Sequence, residues 1–369
     1  MTAKNLGTFE EDIHHYSLTM RITQDQPLKE HNTFDLDVRA AFFITLEREE
    51  DVRTLARDEY FRTIPFITIG GGSNLLFNGD FKGAVLRYTG SDITIVSEDD
   101  KTVRLRVGAG KRWHELVTET TKRGWWGIEN LALIPGDSGA AAVQNIGAYG
   151  AEICDVLDTI HYIDLRDGST HDLPATEAKY SYRHSIFKEE SMSAAVVTAI
   201  ELTLSKVPKP RLEYKGLSSL REEQHLTPAR VAEEVIAIRQ SKLPDPAELP
   251  NAGSFFMNPF VTTEKLEELQ SEYPDVPHYD SEDDTRHKIP AAWLIQQVGM
   301  KGFRNEKVGT YDKQPLVLIN HSHGESADIR RLADLIIAKV NERFGIEIRP
   351  EVRYVRSILM RSVKQMMEE

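Results

Sequence analysis

Three consecutive glycines directly after a short apolar run constrain this chain more than any other feature. The run reads PFITIGGGSNLLF, so Gly70 to Gly72 end a predicted strand and are followed by Ser73 and Asn74. Residues without a Cβ let backbone N–H groups converge on an anion, and the two polar side chains add donors. The segment lacks the GK[ST] of a Walker loop and has Leu75 in place of the last GxGxxG glycine. Two interpretations remain open, a phosphate-binding loop and a tight structural turn.

A second segment, Gly124 to Gly150, is rich in small residues where a helix would carry bulky apolar ones. It reads GWWGIENLALIPGDSGAAAVQNIGAYG. Small residues allow a backbone to approach a large flat ligand closely. Tight chain packing would explain the glycines, but it explains the polar Gln144 and Asn145 less well. A planar cofactor held by backbone atoms explains both features.

Bulk properties narrow the class of protein. At 369 residues the chain exceeds a typical single core and predicts more than one domain. Its formal net charge of -13 argues against a nucleic-acid partner. The single cysteine, Cys154, excludes an intrachain disulfide and fits a reducing compartment.

The N-terminus is polar, and no segment has the apolar length that spans a bilayer, so we expect a cytoplasmic location without membrane insertion. The histidine spacing predicts no metal site. The oligomeric state stays open, and a monomer is compatible with the sequence.

The order of apolar and charged runs divides the chain into four parts. Residues 1–30 lack a hydrophobic period and predict an N-terminal extension, and residues 31–207 alternate short strands with helices in two α+β subdomains. The proline-bearing run KVPKPRLEYKGL sets a boundary near residue 208. Residues 208–356 predict a C-terminal α+β domain, and residues 357–369 a tail. The fold class is α+β.

Five segments in this order resemble the UDP-N-acetylenolpyruvoylglucosamine reductase family in its longer form. They are GGGSNLLF, IPGDSGAAAVQNIGAYG, YSYRHSIFK, GSFFMNP and RPEVRYV. The resemblance covers roughly residues 31 to 356. It implies noncovalent FAD in a two-part flavin domain of the PCMH or vanillyl-alcohol-oxidase type, followed by a C-terminal substrate-binding domain whose last strand returns Glu351 to the active site.

The resemblance also implies which residues contact FAD. The first glycine loop would hold the pyrophosphate, and the second small-residue segment would line the flavin. The implied contacts are Gly70, Gly71, Gly72, Ser73, Asn74, Leu75, Ile134, Pro135, Gly136, Ser138, Gly139, Gln144, Asn145, Ile146 and Gly147. Asp137, the run 140–142 and Met257 depart from the family's usual residues.

Three residues match the positions that the family uses for catalysis: Arg183, Ser254 and Glu351. A permanently cationic guanidinium suits a carboxylate and a developing enolate, so Arg183 is implied as the stabilising group. Glu351 would order the site or hydrogen-bond a substrate oxygen. Ser254 would donate the proton, because an enolate is a strong enough base to take one from a positioned hydroxyl.

Further matches concern the nucleotide-sugar substrate. A tyrosine ring could cover the uracil and a lysine could neutralise a phosphate. The residues implied as substrate contacts are Tyr182, Tyr214, Lys242, Asn258 and Gln314.

The resemblance implies NADPH-dependent reduction of UDP-N-acetylglucosamine enolpyruvate through FAD, in peptidoglycan precursor synthesis. NADPH would reduce the flavin and leave before the enolpyruvyl substrate enters the same cleft. Two alternatives stay open: a flavin oxidase of the same fold, and a flavin- or nucleotide-sugar-binding protein without turnover. The first would lack the Arg, Ser and Glu set, and the second would hold FAD that NADPH does not reduce.

Overall fold

The structure is a computed structural model that describes residues 20–280, 285–356 and 360–367. The helices are α1 Glu49–Arg57, α2 Trp113–Lys122, α3 Ser138–Gln144, α4 Pro228–Lys242, α5 Thr263–Glu272, α6 Ala291–Gln297, α7 Ser326–Phe344 and α8 Val363–Met367. Within these ranges, no helix combines the length and the apolar character needed to cross a membrane.

The strands alternate with these helices along the chain. They are β1 Arg21–Pro27, β2 Arg39–Leu46, β3 Phe66–Ile69, β4 Leu75–Phe77, β5 Phe81–Tyr88, β6 Ile93–Glu98, β7 Thr102–Gly108, β8 Gly147–Ala148, β9 Ala151–Glu152, β10 Leu157–Asp164, β11 Thr170–Pro174, β12 Ala195–Ser205, β13 Asn251–Ser254, β14 Phe260–Thr262, β15 Tyr279–Asp280, β16 Arg286–Lys288, β17 Val308–Thr310, β18 Val317–Asn320 and β19 Arg353–Val355.

Two sheets form the first half of the molecule. The first has the order β1-β2-β5-β3, with β5 parallel to both β2 and β3. The second is antiparallel, in the order β11-β10-β12-β7-β6. Its central strand β12 reads AVVTAIELTLS, and its β-branched and apolar residues are buried. These sheets confirm the mixed α+β class.

Helix α2 packs on the second sheet because its apolar residues recur at helical spacing. Trp113, Leu116, Val117 and Thr120 are buried along one face of the helix. The Trp113 amide donates to the Gly136 carbonyl oxygen at 3.0 Å. The start of the helix therefore fixes the loop that precedes α3.

The hydrophobic cores cross the predicted domain boundary. Leu217 and Val231, which follow residue 208, are buried in the same core as Trp113 and Leu202. The predicted boundary near residue 208 therefore cuts through a packed unit. The buried residues of α4, which include Val231 and Val235, pack in this core, where the helix contacts α2 and the turn Glu129–Leu131.

The C-terminal part shares its core with the first sheet. Phe77 and Phe81 pack with Phe255 and Leu318 in one buried cluster. Strand β19 also joins the two halves, because it pairs in parallel with β4 and brings Arg353 opposite Leu75. The chain end thereby returns to the glycine loop.

Both predicted ends differ from the sequence analysis. Strand β1 pairs with β2, so residues from Arg21 onward belong to the first sheet and the predicted extension 1–30 is too long. Residues 1–19 lie outside the described residues. In the predicted tail, Val363 of α8 is fully buried against the first subdomain. Edge strands and short terminal helices have weak hydrophobic periodicity, so the sequence did not predict β1 or α8.

Candidate active site

Arg183 and Glu351 form an ion pair where the two halves of the molecule meet. Arg183 Nε lies 3.1 Å from Glu351 Oε1, and the two side chains are only 18% and 14% exposed. Arg183 Nη2 also donates to the Gly147 carbonyl oxygen at 2.7 Å. The arginine is thus fixed by a carboxylate and by the small-residue segment together.

The backbone at Arg183 is strained. It adopts φ 57° in a tight turn in which the Ser181 and His184 backbones bond each other in both directions. A left-handed conformation at a non-glycine residue costs about 1–2 kcal/mol. Such strain is typical of functional sites, where the surrounding structure holds a side chain in a required position.

Ser254 directly precedes Phe255, whose backbone contacts Glu351. The Glu351 amide donates to the Phe255 carbonyl oxygen at 2.8 Å, and Ser254 itself ends strand β13 opposite Val317 of β18. The Ser254 side chain is exposed, so a ligand can reach it. Gln314 lies in the turn before β18, where its carbonyl oxygen accepts from the Val317 amide at 3.0 Å.

Burial and nearby cations act in opposite directions on Glu351. Removal from water raises the pKa of its carboxyl group, while the positive charges of Arg183 and Lys188 lower it. Lys188 donates from Nζ to the Arg183 carbonyl oxygen at 2.8 Å. Surrounding protein lowers the pKa of Lys188 to about 8, although its side chain still reaches solvent. Sequence reasoning missed this lysine because a basic residue in a turn has no distinctive signal.

The glycine loop packs directly on the loop that precedes α3. A Cβ on Gly70 would lie 2.8 Å from the Ala140 Cβ, and one on Gly71 would lie 3.1 Å from the Gly136 Cα. Gly72 has φ +72°, and a Cβ there would lie 2.0 Å from the His31 carbonyl oxygen. Close packing therefore requires these glycines, whether or not the loop also binds phosphate.

The same surface leaves groups that suit a planar polar cofactor. Gln144 Nε2 is buried and has no hydrogen-bond partner among the described residues. Gly136 has φ +111°, and a Cβ there would meet only the Ser73 Oγ, at 3.4 Å. An unpartnered amide at one end of α3 and open backbone before its other end fit a flavin ring, whose edge carries both donors and acceptors.

The remaining predicted FAD contacts divide into surface and structural positions. Ile134, Pro135, Ile146 and Gly147 stay partly exposed along the small-residue segment. The Ser138 Oγ donates to the Lys111 carbonyl oxygen at 2.9 Å, and Gly139 packs on Ala109. Leu75 starts β4, and Asn74 Nδ2 donates to the Glu351 carbonyl oxygen at 3.3 Å.

Asn145 supports the arginine turn as well as the predicted flavin surface. Its Nδ2 donates to Glu152 Oε2 at 2.8 Å and to the Ser181 carbonyl oxygen at 3.0 Å. Because Arg183 belongs to that turn, Asn145 links the segment before β8 to the position of the guanidinium.

The residues that depart from the family's usual ones, Asp137, the run 140–142 and Met257, make contacts within the protein. Asp137 is buried, and its carboxylate lies 3.4 Å from Arg87 Nη2 and 3.4 Å from Arg112 Nη1. Burial raises the pKa of Asp137, and the two arginines oppose that shift. Ala140 fits against Gly70, and Ala142 is fully buried. Met257 N donates to the Arg349 carbonyl oxygen at 2.9 Å.

The predicted substrate contacts other than Gln314 form two groups. In the first, the Tyr182 ring lies under the Arg183 guanidinium, 5.2 Å from Cζ, and under the Lys288 ammonium, 4.6 Å from Nζ. The Asn258 amide lies 3.5 Å from the Tyr182 hydroxyl oxygen. Asn258 Oδ1 accepts from the Ala291 amide at 2.9 Å. The sequence analysis did not identify Lys288.

In the second group, Tyr214 and Lys242 lie together. Lys242 Nζ is 3.5 Å from the Tyr214 hydroxyl oxygen and 5.8 Å from the ring centroid. Tyr214 also packs edge to face on Tyr149, with ring centroids 4.9 Å apart. Tyr149 follows Gly147 by two residues, so this group adjoins the segment that holds Arg183. Across the described ranges, no cluster of three or more metal-binding side chains occurs.

Family comparisons agree with this arrangement. A model described as an FAD binding domain matches residues 40–174, and one described as the C-terminal domain of UDP-N-acetylenolpyruvoylglucosamine reductase matches residues 245–355. The first match confirms the predicted flavin domain. The second match begins at residue 245, after the end of α4.

Relatives of known name cover almost the whole chain. It is 42% identical over 338 residues to the UDP-N-acetylenolpyruvoylglucosamine reductase of Porphyromonas gingivalis, covering 91% of this chain and 100% of the relative. The enzyme of the same name from Bacteroides fragilis is 43% identical over 333 residues, covering 90% and 99%. The crystal structure of the Thermus caldophilus enzyme has TM-score 0.65 at 22% identity, covers 91% of this chain and 100% of its own, and shows the same fold. The chain belongs to the UDP-N-acetylenolpyruvoylglucosamine reductase family.

Proposed function

We propose that this chain reduces UDP-N-acetylglucosamine enolpyruvate to UDP-N-acetylmuramate, with NADPH as the reductant and FAD as the bound cofactor. As a member of its family, the chain is a FAD-dependent oxidoreductase of peptidoglycan precursor synthesis. One observation carries the assignment of the site: the Arg183–Glu351 ion pair lies next to Ser254, beside the small-residue surface.

The chemistry assigns each of the three residues a task. When bound, reduced FAD supplies a hydride from N5 to the CH2 carbon of the enolpyruvyl ether. Arg183 stabilises the negative charge that develops on the adjacent carbon and its carboxylate, because the guanidinium is permanently cationic and already oriented. Glu351 holds that guanidinium in position through the ion pair, or, when it is protonated, donates a hydrogen bond to a substrate oxygen.

Ser254 delivers the proton that completes the lactyl ether. The exposed hydroxyl lies at the end of β13, and no histidine is required to activate it. The new C–H bonds then come from one hydride and one proton. The proton that the serine gives up is restored from solvent.

The residues around the trio hold the two ligands. The glycine loop from Gly70 to Asn74 binds the FAD pyrophosphate, and the 134–147 surface with Gln144 binds the flavin ring. Tyr214 covers the uracil, and Lys242 neutralises a phosphate. Tyr182, Asn258 and Gln314 contact the sugar diphosphate.

We also propose a cytoplasmic location. A single cysteine, Cys154, in 369 residues supports a reducing compartment. Both the reductant and the nucleotide-sugar substrate are anionic, so the acidic chain must present its cations locally. Arg183, Lys242 and Lys288 supply them around the site.

The deciding experiment follows the visible spectrum of the purified protein anaerobically, first with NADPH and then with UDP-N-acetylglucosamine enolpyruvate. We expect flavin bands that bleach with NADPH and return with the substrate. Bleaching that only oxygen reverses would favour an oxidase of the same fold, and bound FAD that NADPH does not bleach would favour a binding protein. Absence of flavin from both the isolated and the FAD-reconstituted protein would refute the proposal.

A further inference from the structure

Lys188 reaches back to the backbone of Arg183, the residue that forms the ion pair with Glu351. Its Nζ donates to the Arg183 carbonyl oxygen at 2.8 Å. The lysine keeps exposed surface, so its side chain has not been drawn into this position by burial of apolar area. Because the bond ends on a main-chain atom, it acts on the conformation of the chain as well as on the local charge.

The backbone of Arg183 needs such support. The residue has φ 57° in a turn that the Ser181 and His184 backbones close with hydrogen bonds of 3.2 and 2.9 Å. A turn with one positive φ, at its third position, usually has glycine or asparagine there, because a Cβ disfavours the left-handed conformation. A hydrogen bond from a charged donor contributes about as much as that conformation costs. The bond from Lys188 is therefore strong enough to keep Arg183 left-handed.

The segment that carries Lys188 is anchored to another part of the fold. Ser185 is fully buried, and its Oγ donates to the Val143 carbonyl oxygen of α3 at 2.7 Å. The Lys188 amide donates to the Ser185 carbonyl oxygen at 3.0 Å and closes a single 3-10 turn, Ile186–Lys188. The ammonium thus bonds Arg183 from a base that is fixed on α3.

The contacts of the Arg183 side chain depend on its backbone conformation. Nε lies 3.1 Å from Glu351 Oε1, and Nη2 donates to the Gly147 carbonyl oxygen at 2.7 Å. A return of Arg183 to the right-handed region would redirect its Cα–Cβ bond and break both contacts. A small displacement of a charge-stabilising group costs much of its effect on the reaction rate.

We propose that Lys188 is a positioning residue, whose bond to the Arg183 carbonyl oxygen holds the guanidinium where it stabilises the developing enolate. This role rests on the proposed function, because it takes Arg183 as the group that stabilises that charge. Lys188 acts through Arg183, so it serves the half-reaction in which the enolpyruvyl substrate is reduced. The reduction of FAD by NADPH does not require it.

The test compares Lys188→Met, which keeps the length of the side chain and removes the donor, with Lys188→Arg, which keeps a donor. Lys179→Met is the matched control, because Lys179 Nζ bonds a side chain in the same part of the chain, the Glu189 carboxylate, at 3.3 Å. Anaerobic stopped-flow absorbance measures flavin reduction by NADPH and flavin reoxidation at several concentrations of UDP-N-acetylglucosamine enolpyruvate.

In Lys188→Met we expect the limiting rate of reoxidation to fall by about 10–100-fold, the usual cost of a misplaced group. Flavin reduction should be unchanged, and the substrate concentration that gives half the limiting rate should change much less than the rate. Lys188→Arg should restore most of the rate, and Lys179→Met should match the wild-type protein in both half-reactions.

A double variant tests whether Lys188 acts through Arg183. In an Arg183→Met background, Lys188→Met should slow single-turnover reoxidation no further, because residues that act as one unit have non-additive effects. A further loss as large as that in the wild-type background would assign Lys188 a direct role on the substrate and overturn the inference.

Two other results would overturn it: normal reoxidation in Lys188→Met, and equal slowing of both half-reactions that Lys188→Arg does not rescue. If Lys188→Met does not fold, Lys188→Gln, whose amide is too short to replace the ammonium, is judged by the same criteria. A wild-type flavin that the enolpyruvyl substrate does not reoxidise would refute the proposed function and this role together. Normal reoxidation in both the wild-type protein and Lys188→Met would refute the role of Lys188 alone.

Discussion

Arg183 and Glu351, far apart in the sequence, meet at 3.1 Å with both side chains largely enclosed. The contact exists because β19 returns beside β4, which places Glu351 next to Asn74 and Phe255. The ion pair therefore joins the flavin-binding half to the C-terminal half. Breaking it removes one of the two positive charges that oppose the effect of burial on the pKa of Glu351.

We predict that Arg183→Met makes stability fall over a wider pH range above the ordinary carboxyl pKa of about 4.3 than it does in the wild-type protein. Burial raises the pKa of Glu351 even with Arg183 present, and Arg183 limits that rise. Without the arginine, the folded state keeps its proton after the unfolded chain has lost one, so the unfolding free energy decreases across that window, by about 1.4 kcal/mol per pH unit at most.

The measurement is urea denaturation of Arg183→Met at several pH values. Arg183→Met combined with Glu351→Gln is the control, because glutamine does not titrate. A pH slope that persists in the double variant would show that another group is responsible.

Ser254→Ala should separate the two half-reactions. NADPH should bleach the flavin at the normal rate, because Ser254 plays no part in that step. Reoxidation by the enolpyruvyl substrate should slow by about 10²–10⁴-fold, the usual contribution of a positioned proton donor. Anaerobic stopped-flow absorbance measures both rates, with Ser271→Ala on the exposed face of α5 as the control. Normal reoxidation in Ser254→Ala would remove this residue from the mechanism.

Gly72→Ala should destabilise the protein more than Gly79→Ala does. Both glycines have positive φ, which costs an alanine about 1–2 kcal/mol. At Gly79 a Cβ meets nothing within 4 Å, whereas at Gly72 it would lie 2.0 Å from the His31 carbonyl oxygen. Displacing backbone should add about 1–3 kcal/mol.

Thermal denaturation and FAD titration together test this difference. We expect Gly72→Ala to lose FAD affinity as well as stability, since the loop must shift, while Gly79→Ala keeps its affinity. Equal losses in the two variants would contradict the close contact at Gly72.

Asn130→Ala should cost about 2–4 kcal/mol of unfolding free energy. The buried Asn130 Nδ2 donates to the Tyr149 carbonyl oxygen at 2.8 Å and to the Arg211 carbonyl oxygen at 2.9 Å. Alanine would leave both acceptors without this donor. Urea denaturation should show Asn341→Ala, on the exposed side of α7, within about 0.5 kcal/mol of wild type. A similarly small effect for Asn130→Ala would contradict the prediction.

Much of the architecture follows from local sequence signals. Apolar runs such as PFITI and AVVTAIELTL become β3 and β12, and the amphipathic run after Arg112 becomes α2. The strand β1 and the helix α8 have no such signal. They fold because neighbouring elements offer an open sheet edge and an apolar surface.

The candidate site also contains residues that the sequence indicated and residues that it did not. The resemblance of five segments was enough to nominate Arg183, Ser254 and Glu351. The structure places Arg183 against Glu351, and the Glu351 amide bonds the carbonyl oxygen of Phe255, the residue after Ser254. Lys188 and Lys288 were not nominated. The sequence does not distinguish a solvated basic residue from an enclosed one, because the residues that surround it come from other parts of the chain.

The sequence alone determined the family and the expected cofactor and nominated the candidate catalytic residues, because these inferences depend on residue types in a fixed order. Tertiary structure decided what those residues touch. The pairing of Arg183 with Glu351, the packing of α4 against α2 and the enclosure of the Arg239 Nε all depend on contacts between distant segments. Such contacts form only when the chain buries its apolar surface, so no local pattern contains them.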